Sequence, residues 1–545
     1  MPIIAVERSQ RKLASRVLES VHTLSPTYNA VNEATSSSTT SDIPGNKSSY
    51  HAVVGIHVAP NQPPPGPLER LQPHPRIRMI TSLPTDILFS IIRVLPIPDL
   101  LALGATCKAL HTAIEDRSVW VYAMGRILAT IPMPHVSTSM PSMSTRELRH
   151  RVLQSALLES VWSNTDFLPE SFRSVPCKSS VRGVRLLPDG REVVMLIQDG
   201  SLELYKADVD VPVAVTLSPT KPVGSVHWIA SLSSTYEPLV LLKIDSPNKN
   251  ASDLYLYHVD LETPALTLRA SVTSLRPITH FSAGGDLLAF VTRNEERCVL
   301  HVQSVPHESG AHTEQVLIKG FEQWLGTESE CAVSLLSRGR MAVTNNQGTS
   351  TFYLPELKPI LPNSLNIVLS LSPTWTGTGG NASTLLPQVS PVIWEPSGSH
   401  TRTMAVLKDN SLHVLNLGQS ESQSWIVPFD TAVGLEGYDG LFRGPKFRPA
   451  DVGFHRVLFH TGRGMNADGK RVITFRTCII PSAVSLSASQ TPAAQRLGSF
   501  AIPSEDGREF VQEVSFDEGT GRLCILVMIY ERFVRAKRIV YVDVV

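Results

Sequence analysis

The residues of this chain that could do bond chemistry are His455 and His460, the glycine runs Gly462-Arg463-Gly464 and Thr376 to Gly380, and an abundance of serine. Two histidines could share a metal ion. No further His and no Cys-x-x-Cys pair accompanies them, so they read as satisfied or exposed strand histidines. A glycine run holds phosphate when its backbone N–H groups open a helix after a strand, and neither run has that setting. No Gly-x-Ser-x-Gly elbow presents a serine nucleophile, and nothing orders two carboxylates for acid and base work. The six cysteines (Cys107, Cys177, Cys298, Cys331, Cys478 and Cys524) are scattered without close pairs. That spacing argues against a disulfide framework or a zinc site and suits a reducing compartment, cytoplasmic or nuclear. The sequence predicts no catalytic residue, no metal, no cofactor and no enzyme activity.

The chemistry that remains is noncovalent recognition, and its clearest carrier is an apolar helical hairpin between Leu83 and Trp120. Ser82 is a candidate N-cap, Leu83-Pro84 directs the chain into the helix, and Asp86 places a carboxylate in the first turn, where the helix dipole favours it. A helix is therefore expected from about Thr85. Ile87, Leu88, Ile91, Ile92 and Leu95 form a stripe broader than one neighbouring helix can cover, and Pro96 and Pro98 stop it. From Asp99 a second run carries Leu100, Leu103, Cys107, Leu110 and Ile114 at helical spacing, so two or three short helices are expected with apolar surface left over. A module of about 45 residues buries little core, and its spare surface calls for a partner or for the neighbouring domain.

The order Leu83-Pro84, Asp86-Ile87-Leu88, Ile91, Leu95, Asp99-Leu100, Leu103, Thr106-Cys107-Lys108, Ile114 and Trp120 resembles an F-box. The family pattern is Leu-Pro, an acidic residue, Ile-Leu, Asp-Leu, a Cys-Arg-like pair and a terminal Trp. Here Lys108 stands for the Arg, and Ala109-Leu110-His111 occupies the stretch where the family has an aromatic residue. The resemblance implies docking on a Skp-family adaptor and, through it, on a cullin-based ubiquitin ligase. Carried over residue by residue, the contact would use Leu83, Pro84, Ile87, Leu88, Ile91, Leu95, Leu100, Leu103 and Cys107. The residues alone also allow an ordinary helical hairpin packed on the next domain.

Around this module the chain divides by composition. Residues 1–75 include the Ser/Thr tract Thr35 to Ser41 and the proline-rich Pro60 to Pro75, which cannot bury enough apolar surface to offset ordering, so disorder is expected. Arg8, Arg11, Lys12 and Arg16 could line a basic amphipathic helix of transit-peptide type, but Glu7 and Glu19 count against it. Residues 76–128 hold the F-box-like module, and residues 129–180 read as a linker whose helix, Thr145 to Trp162, stiffens the path to the strand-rich remainder. A formal net charge of zero gives no drive toward nucleic acid or anionic membrane, and no apolar run reaches transmembrane length. The one dense basic cluster, Arg532, Arg535, Lys537 and Arg538, reads as a solvated hairpin loop or strand face.

Residues 181–545 alternate in the manner of strands. Val184 to Leu186, Val193 to Ile197 and Leu202 to Tyr205 are separated by Asp189-Gly190 and Asp199-Gly200, pairs that supply the positive φ of tight hairpins. Related units begin at Val223, Ile278, Val333, Val392, Phe447 and Val511, giving seven units of about 52 residues each. The fold class expected is mainly β with a small all-α module: an F-box-like hairpin followed by a seven-bladed β-propeller. Trp-Asp and kelch signatures are absent, and a pair of β-sandwiches is the rival architecture. The reading of function is a substrate receptor whose propeller grips an unidentified target protein. The alternatives are an adaptor-independent scaffold and a propeller hydrolase with polar residues converging in its channel. A phosphate-reading face would cluster arginines, and Arg293, Arg402, Arg448 and Arg463 are scattered.

Overall fold

Proline sets the helix boundaries at the start of the described chain. The computed structural model describes residue 80 and most of residues 83–545; residues 1–79, 131–139, 217–223, 306–313, 360–366, 390–402, 429–449, 481–497 and shorter loop segments lie outside the description. The expected disorder of residues 1–75 and the candidate cap Ser82 fall there. Helix α1 (Thr85–Val94) is entered through Pro84 in an extended conformation with no side-chain cap, and α2 (Ile97–Thr106) through Pro96, with Pro98 in its first turn. Proline fits these places because the first-turn N–H groups have no partner within the helix. The run expected to continue from Asp99 to Ile114 is broken at Cys107, whose extended backbone ends α2 and starts α3 (Lys108–Ile114). Asp116 then caps α4 (Arg117–Thr130), accepting the Ser118 N–H at 2.8 Å, and the Ser118 hydroxyl together with that N–H holds its carboxyl below the usual range.

Packing divides the chain into two units, Met1–Tyr122 and Ala123–Val545, with the division inside α4. In the first, Ile92, Leu100, Leu110 and Ile114 are buried, and Gly104 admits the Ile114 side chain.

Among the described residues the second unit contains seven sheets, antiparallel but for one parallel pair in the third, and each of four consecutive strands except where noted. Blade 1 runs through Val181–Leu186, Glu192–Ile197, Leu202–Lys206 and Pro212–Val215; blade 2 through Val226–Leu232, Pro238–Asp245, Ser252–Asp260 and Ala265–Ser274. Blade 3 spans Ile278–Gly284 to Glu314–Lys319, with Lys358–Pro359 and Ile367–Val368 added at its outer strand. Blade 4 joins Ala332–Ser337, Arg340–Asn345 and Gly348–Tyr353 to Trp375–Thr378, blade 5 spans Gln388–Val389 to Gln423–Pro428, and blade 6 spans Ala450–Val452 to Gly498–Pro503. Blade 7 takes Glu509–Asp517, Arg522–Glu531 and Val534–Asp543 from the end of the chain and its fourth strand, Ser171–Pro176, from before blade 1. This last pairing, Ser171 opposite Asp543 through Pro176 opposite Arg538, closes the ring of a seven-bladed propeller.

Burial varies with position within a blade. Second strands such as Glu192–Ile197 and Pro238–Asp245 are buried at every residue, third strands alternate, and the outer strands Pro212–Val215 and Ala265–Ser274 are largely open. A second strand lies under a neighbouring blade on both faces, which is why Val193 to Ile197 and Leu239 to Leu242 are unbroken apolar runs. Each large core joins adjacent blades: 7 with 1, 1 with 2, 2 with 3, 3 with 4, and 6 with 7. The innermost strands would leave backbone N–H groups unmet on their free edges. Side chains of the preceding blade meet them: Glu513 accepts from Val184 N–H at 2.8 Å, Ser515 from Leu186 at 3.0 Å, Asp451 from Phe516 at 3.0 Å and Ser252 from Ile278 at 3.0 Å.

The stretch read as a linker supplies more than a path. Helix α5 (Thr145–Trp162) starts with a capping box in which Ser144 and Glu147 bond reciprocally. Its Leu158 and Trp162 enter the core of blades 6 and 7, its Glu159 pairs with buried Arg456, and its Arg151 reaches Asp189 of blade 1 at 3.5 Å. The basic cluster also differs from its solvated reading. Arg538 is buried, forked onto Glu509 at 2.8 and 2.9 Å and bonded to Ser174 of the closing strand at 3.1 Å, while Lys537 donates to the Val181 carbonyl. Arg532 lies outside the described residues.

The expected hairpin glycines Gly190 and Gly200 take left-handed φ, as do Gly469 and Gly521, and Asp189 joins them. Gly469 and Gly521 share a φ of 72°, but a Cβ at Gly469 would stand in open space, whereas one at Gly521 would collide with Leu158 Cδ2 of α5. In urea unfolding, Gly521→Ala is expected to cost on the order of 2–4 kcal/mol and Gly469→Ala about 1 kcal/mol. Equal costs would show that α5 does not press on the closing blade.

Candidate functional site

Helix α1 carries two apolar ridges with different fates. Leu88, Ile92 and Leu95 lie on one, with Ile92 fully buried and the other two partly so. Leu83, Ile87, Ile91 and Val94 make up the other; Leu83 is 36% exposed, Ile87 46% and Val94 67%, with Ile91 half-buried between them. An i, i+4, i+8, i+11 row of apolar side chains turned to solvent is the spare surface that the hairpin's small core leaves over. Of the nine residues singled out in the sequence, Leu83, Pro84, Ile87 and Cys107 are exposed, Leu88, Ile91, Leu95 and Leu103 are half-buried, and Leu100 is only 2% exposed. Leu100 is therefore held in the core, where it supports the ridge from beneath. Val94 is not among the nine, although it lies two helical turns beyond Ile87 on the same face.

The propeller presents its own concave site, built entirely from the second unit. A cavity of about 710 Å³ is lined by Arg182, Gln198, Trp228, Gln512, Glu513 and Lys537, among others, from blades 1, 2 and 7. Two β-bulges shape it: the register shifts between Val181 and Gly183 in blade 1 and between Val511 and Glu513 in blade 7, leaving Arg182 and Gln512 as the extra residues. The bulges meet, since the Gln512 Nε2 donates to the Arg182 carbonyl at 2.5 Å. Between them Gly183 has no side chain for a reason: a Cβ there would lie 2.7 Å from both Glu513 Oε2 and Trp228 Nε1. A blade 7 carboxylate and a blade 2 indole thus converge over a blade 1 backbone.

The electrostatics of this cavity are uneven. Burial pushes the Glu513 carboxyl up to about 7, with Asp451 adding to the rise and the Val184 hydrogen bond and Arg185 opposing it. Arg185 is engaged by Asp451 at 2.8 Å, and Glu513 makes no ion pair among the described residues. At the rim, His227 stands 3.7 Å from Asp245. Burial works against the Asp245 charge, but hydrogen bonds from Ser225 and Ser252 and the Lys243 ammonium at 3.1 Å hold its carboxyl below the usual range. That cluster joins blades 2 and 3 through the Ser252 bond to Ile278 N–H, so it is part of the framework.

The sequence candidates for bond chemistry are not brought together. His460 is buried beside the Phe475 ring, and His455 lies outside the described residues. Gly462-Arg463-Gly464 runs within the strand Arg456–Met465, and Thr376 to Thr378 within Trp375–Thr378. Among the described residues there is no group of three or more metal-ligating side chains, five cysteines are free thiols, and no helix is long and apolar enough to cross a membrane. Arg182, Trp228 and Glu513 carried no sequence signal because nothing in the sequence marks a bulge without its ladder partner.

These placements separate surface from core at α1 and fix a pH dependence at Glu513. Ile87→Ala is expected to change unfolding free energy by less than about 0.5 kcal/mol and Leu100→Ala to cost about 2–4 kcal/mol, read by denaturant titration. At Glu513 the folded state holds its proton more tightly than the unfolded chain, so stability is lost as pH rises from 4.5 through about 7. Glu513→Gln, which keeps an acceptor for Val184, is expected to melt higher than the unmutated protein at pH 8 and level with it at pH 5. A pH-independent difference would contradict the assignment.

Comparison with known proteins places a family on the first unit: residues 80–122 match the F-box-like family model. No curated protein matches the chain. Among solved structures it is similar to the WD40 domain of SCAP from fission yeast, at 8% identity over 67% of this chain and 82% of that one, with a TM-score of 0.32. It is also similar to the β-propeller domain of Cps50 (Swd1) from Myceliophteria thermophila, at 10% identity over 69% of this chain and 100% of that one, with a TM-score of 0.36. The propeller assignment itself rests on the seven sheets and their closure.

Proposed function

We propose that this chain, with its F-box-like domain ahead of a seven-bladed propeller, is the substrate-recognition subunit of a cullin-type ubiquitin ligase. The F-box-like unit would dock on a Skp-family adaptor, which links it to the cullin, and the propeller would hold the protein to be modified. Bond chemistry would belong to other subunits, in the reducing cytoplasm or nucleus that the free thiols suit. The observation that carries this reading is the outward ridge of α1, with Leu83, Ile87 and Val94 exposed on a helical unit matching the F-box-like family.

The energetics support docking on that ridge. Fully burying a Leu or Ile contributes roughly 1.5–3 kcal/mol, and a ridge on a preformed helix adds little ordering cost, although association entropy offsets a large part. Leu83, Pro84, Ile87 and Ile91 would touch the adaptor directly, with Leu88, Leu95, Leu103 and Cys107 at the margin of the contact and Leu100 acting from the core.

The test is binding of the full chain to a purified Skp-family adaptor, beside the Leu83→Ala/Ile87→Ala variant, with melting curves for both. Because both side chains are exposed, the variant is expected to fold normally and to lose about 2 kcal/mol or more of affinity, roughly thirtyfold. Unchanged affinity in the folded variant, or no binding by the unmutated chain, would overturn the proposal and leave an adaptor-independent scaffold.

A further inference from the structure

The cavity between blades 7, 1 and 2 contains a group that the framework does not explain. Three buried carboxylates of the surrounding blades are matched by a cation: Asp451 has Arg185, Asp245 has Lys243 and two serines, and Glu509 has Arg538. Glu513 has a single backbone N–H on Oε2, no ion-pair partner among the described residues, and a place on the cavity wall beside the Trp228 indole. An uncompensated carboxylate at the edge of a cavity is costly to the fold, and such groups mark places where a ligand supplies the missing charge. Trp228 also lines the cavity, and an aromatic ring there would add attraction for a cation. The two bulges and the bare Gly183 are what bring these groups together from three blades.

We propose that this cavity is the binding site for a basic side chain, lysine or arginine, presented by an extended segment of a partner protein, with Glu513 as the counter-charge and Trp228 as the aromatic wall. The proposal rests on the propeller being the recognition body and names the chemistry of what it recognises. Arg182 and Lys537 line the same cavity, and Lys537 donates to the Val181 carbonyl. These two donors would bond the carbonyls of the partner's backbone, or an acidic neighbour of the basic residue. A phosphate group alone would leave the Glu513 pole unmatched.

The pH dependence has a definite sign. The groups around Glu513 are Arg185 of blade 1, Asp451 of blade 6, Cys524 of blade 7 and, lining the same cavity, Arg182 of blade 1, His227 and Trp228 of blade 2 and Lys537 of blade 7. Asp451 and Arg185 are paired with each other, and burial holds the Cys524 thiol protonated. Protonation of Glu513 at low pH removes the counter-charge and weakens a cationic ligand.

The experiment titrates the full chain with capped pentapeptides that differ only at the central residue, arginine, lysine, glutamate or phosphoserine, by calorimetry or ligand-observed NMR. The arginine and lysine peptides are expected to bind, and to bind about tenfold more weakly at pH 6 than at pH 8. Glu513→Gln is expected to remove at least a tenfold share of that affinity and most of its pH dependence, and Trp228→Leu to weaken it independently. Arg182→Gln, which removes a like charge, is expected to tighten it. Preference for the glutamate or phosphoserine peptide, binding unaffected by Glu513→Gln, or no binding by any peptide would each overturn the proposal. The Leu83→Ala/Ile87→Ala chain is expected to bind the peptides normally, so failure here and failure of adaptor docking are read separately.

Discussion

Everything in the larger unit depends on one strand pairing, residues 171–176 against 538–543. Closing a loop of that length costs roughly 5 kcal/mol in chain entropy by the logarithmic law, beyond a fixed initiation cost, before any contact offsets it. The contacts that do so are concentrated at the seam. Ser171 bonds the Asp543 carboxylate, Arg538 ties the closing strand to the innermost strand of its own blade through Ser174 and Glu509, and the Phe167 N–H bonds Ser499 of blade 6. Trp162, Phe167, Phe500 and Phe516 pack edge to face beneath it. The seam is thus a mixed polar and aromatic lock.

Closure explains features that otherwise look unrelated. With no first or last sheet, second strands such as Glu192–Ile197 and Pro238–Asp245 are covered on both faces, and the innermost strands of blades 1, 3, 4 and 7 have a preceding blade to cap an N–H group. It also decides where specialised residues can sit. Blades 7, 1 and 2 are brought side by side only because the chain's end returns to its start. Glu513, from near the end, and Gly183 and Trp228, from the first blades, meet only in the closed ring. The cavity is therefore a product of closure, and any variant that opens the seam should lose the cavity with it.

Much of this architecture can be read from the residues alone. The seven meanders, the Asp-Gly hairpins and the first helix near Thr85 emerge from period-two alternation, positive-φ residue pairs and a proline-marked start. Three things cannot. The closing strand Ser171–Pro176 sits in a short, mostly polar stretch after a helix, and only its distant partner makes it a strand. The break at Cys107 is invisible to spacing, because the apolar repeat runs through it uninterrupted from Leu103 to Leu110. Arg538 reads as solvated because its partners Glu509 and Ser174 are far away in sequence or on another strand. For the closing strand and for Arg538, a contact between distant residues overrides a local pattern.

If residues 171–176 hold the ring shut as one cooperative body, amide hydrogen exchange of the full chain will show it. The amides of residues 171–176 and 538–543 that are hydrogen-bonded across this pairing are expected to exchange only with global unfolding, as slowly as those of the wholly buried strands Glu192–Ile197 and Pro238–Asp245. Rapid exchange of 171–176 while those second strands stay protected would reveal a propeller that stands without its seam, and closure would then not be the constraint on which the fold depends.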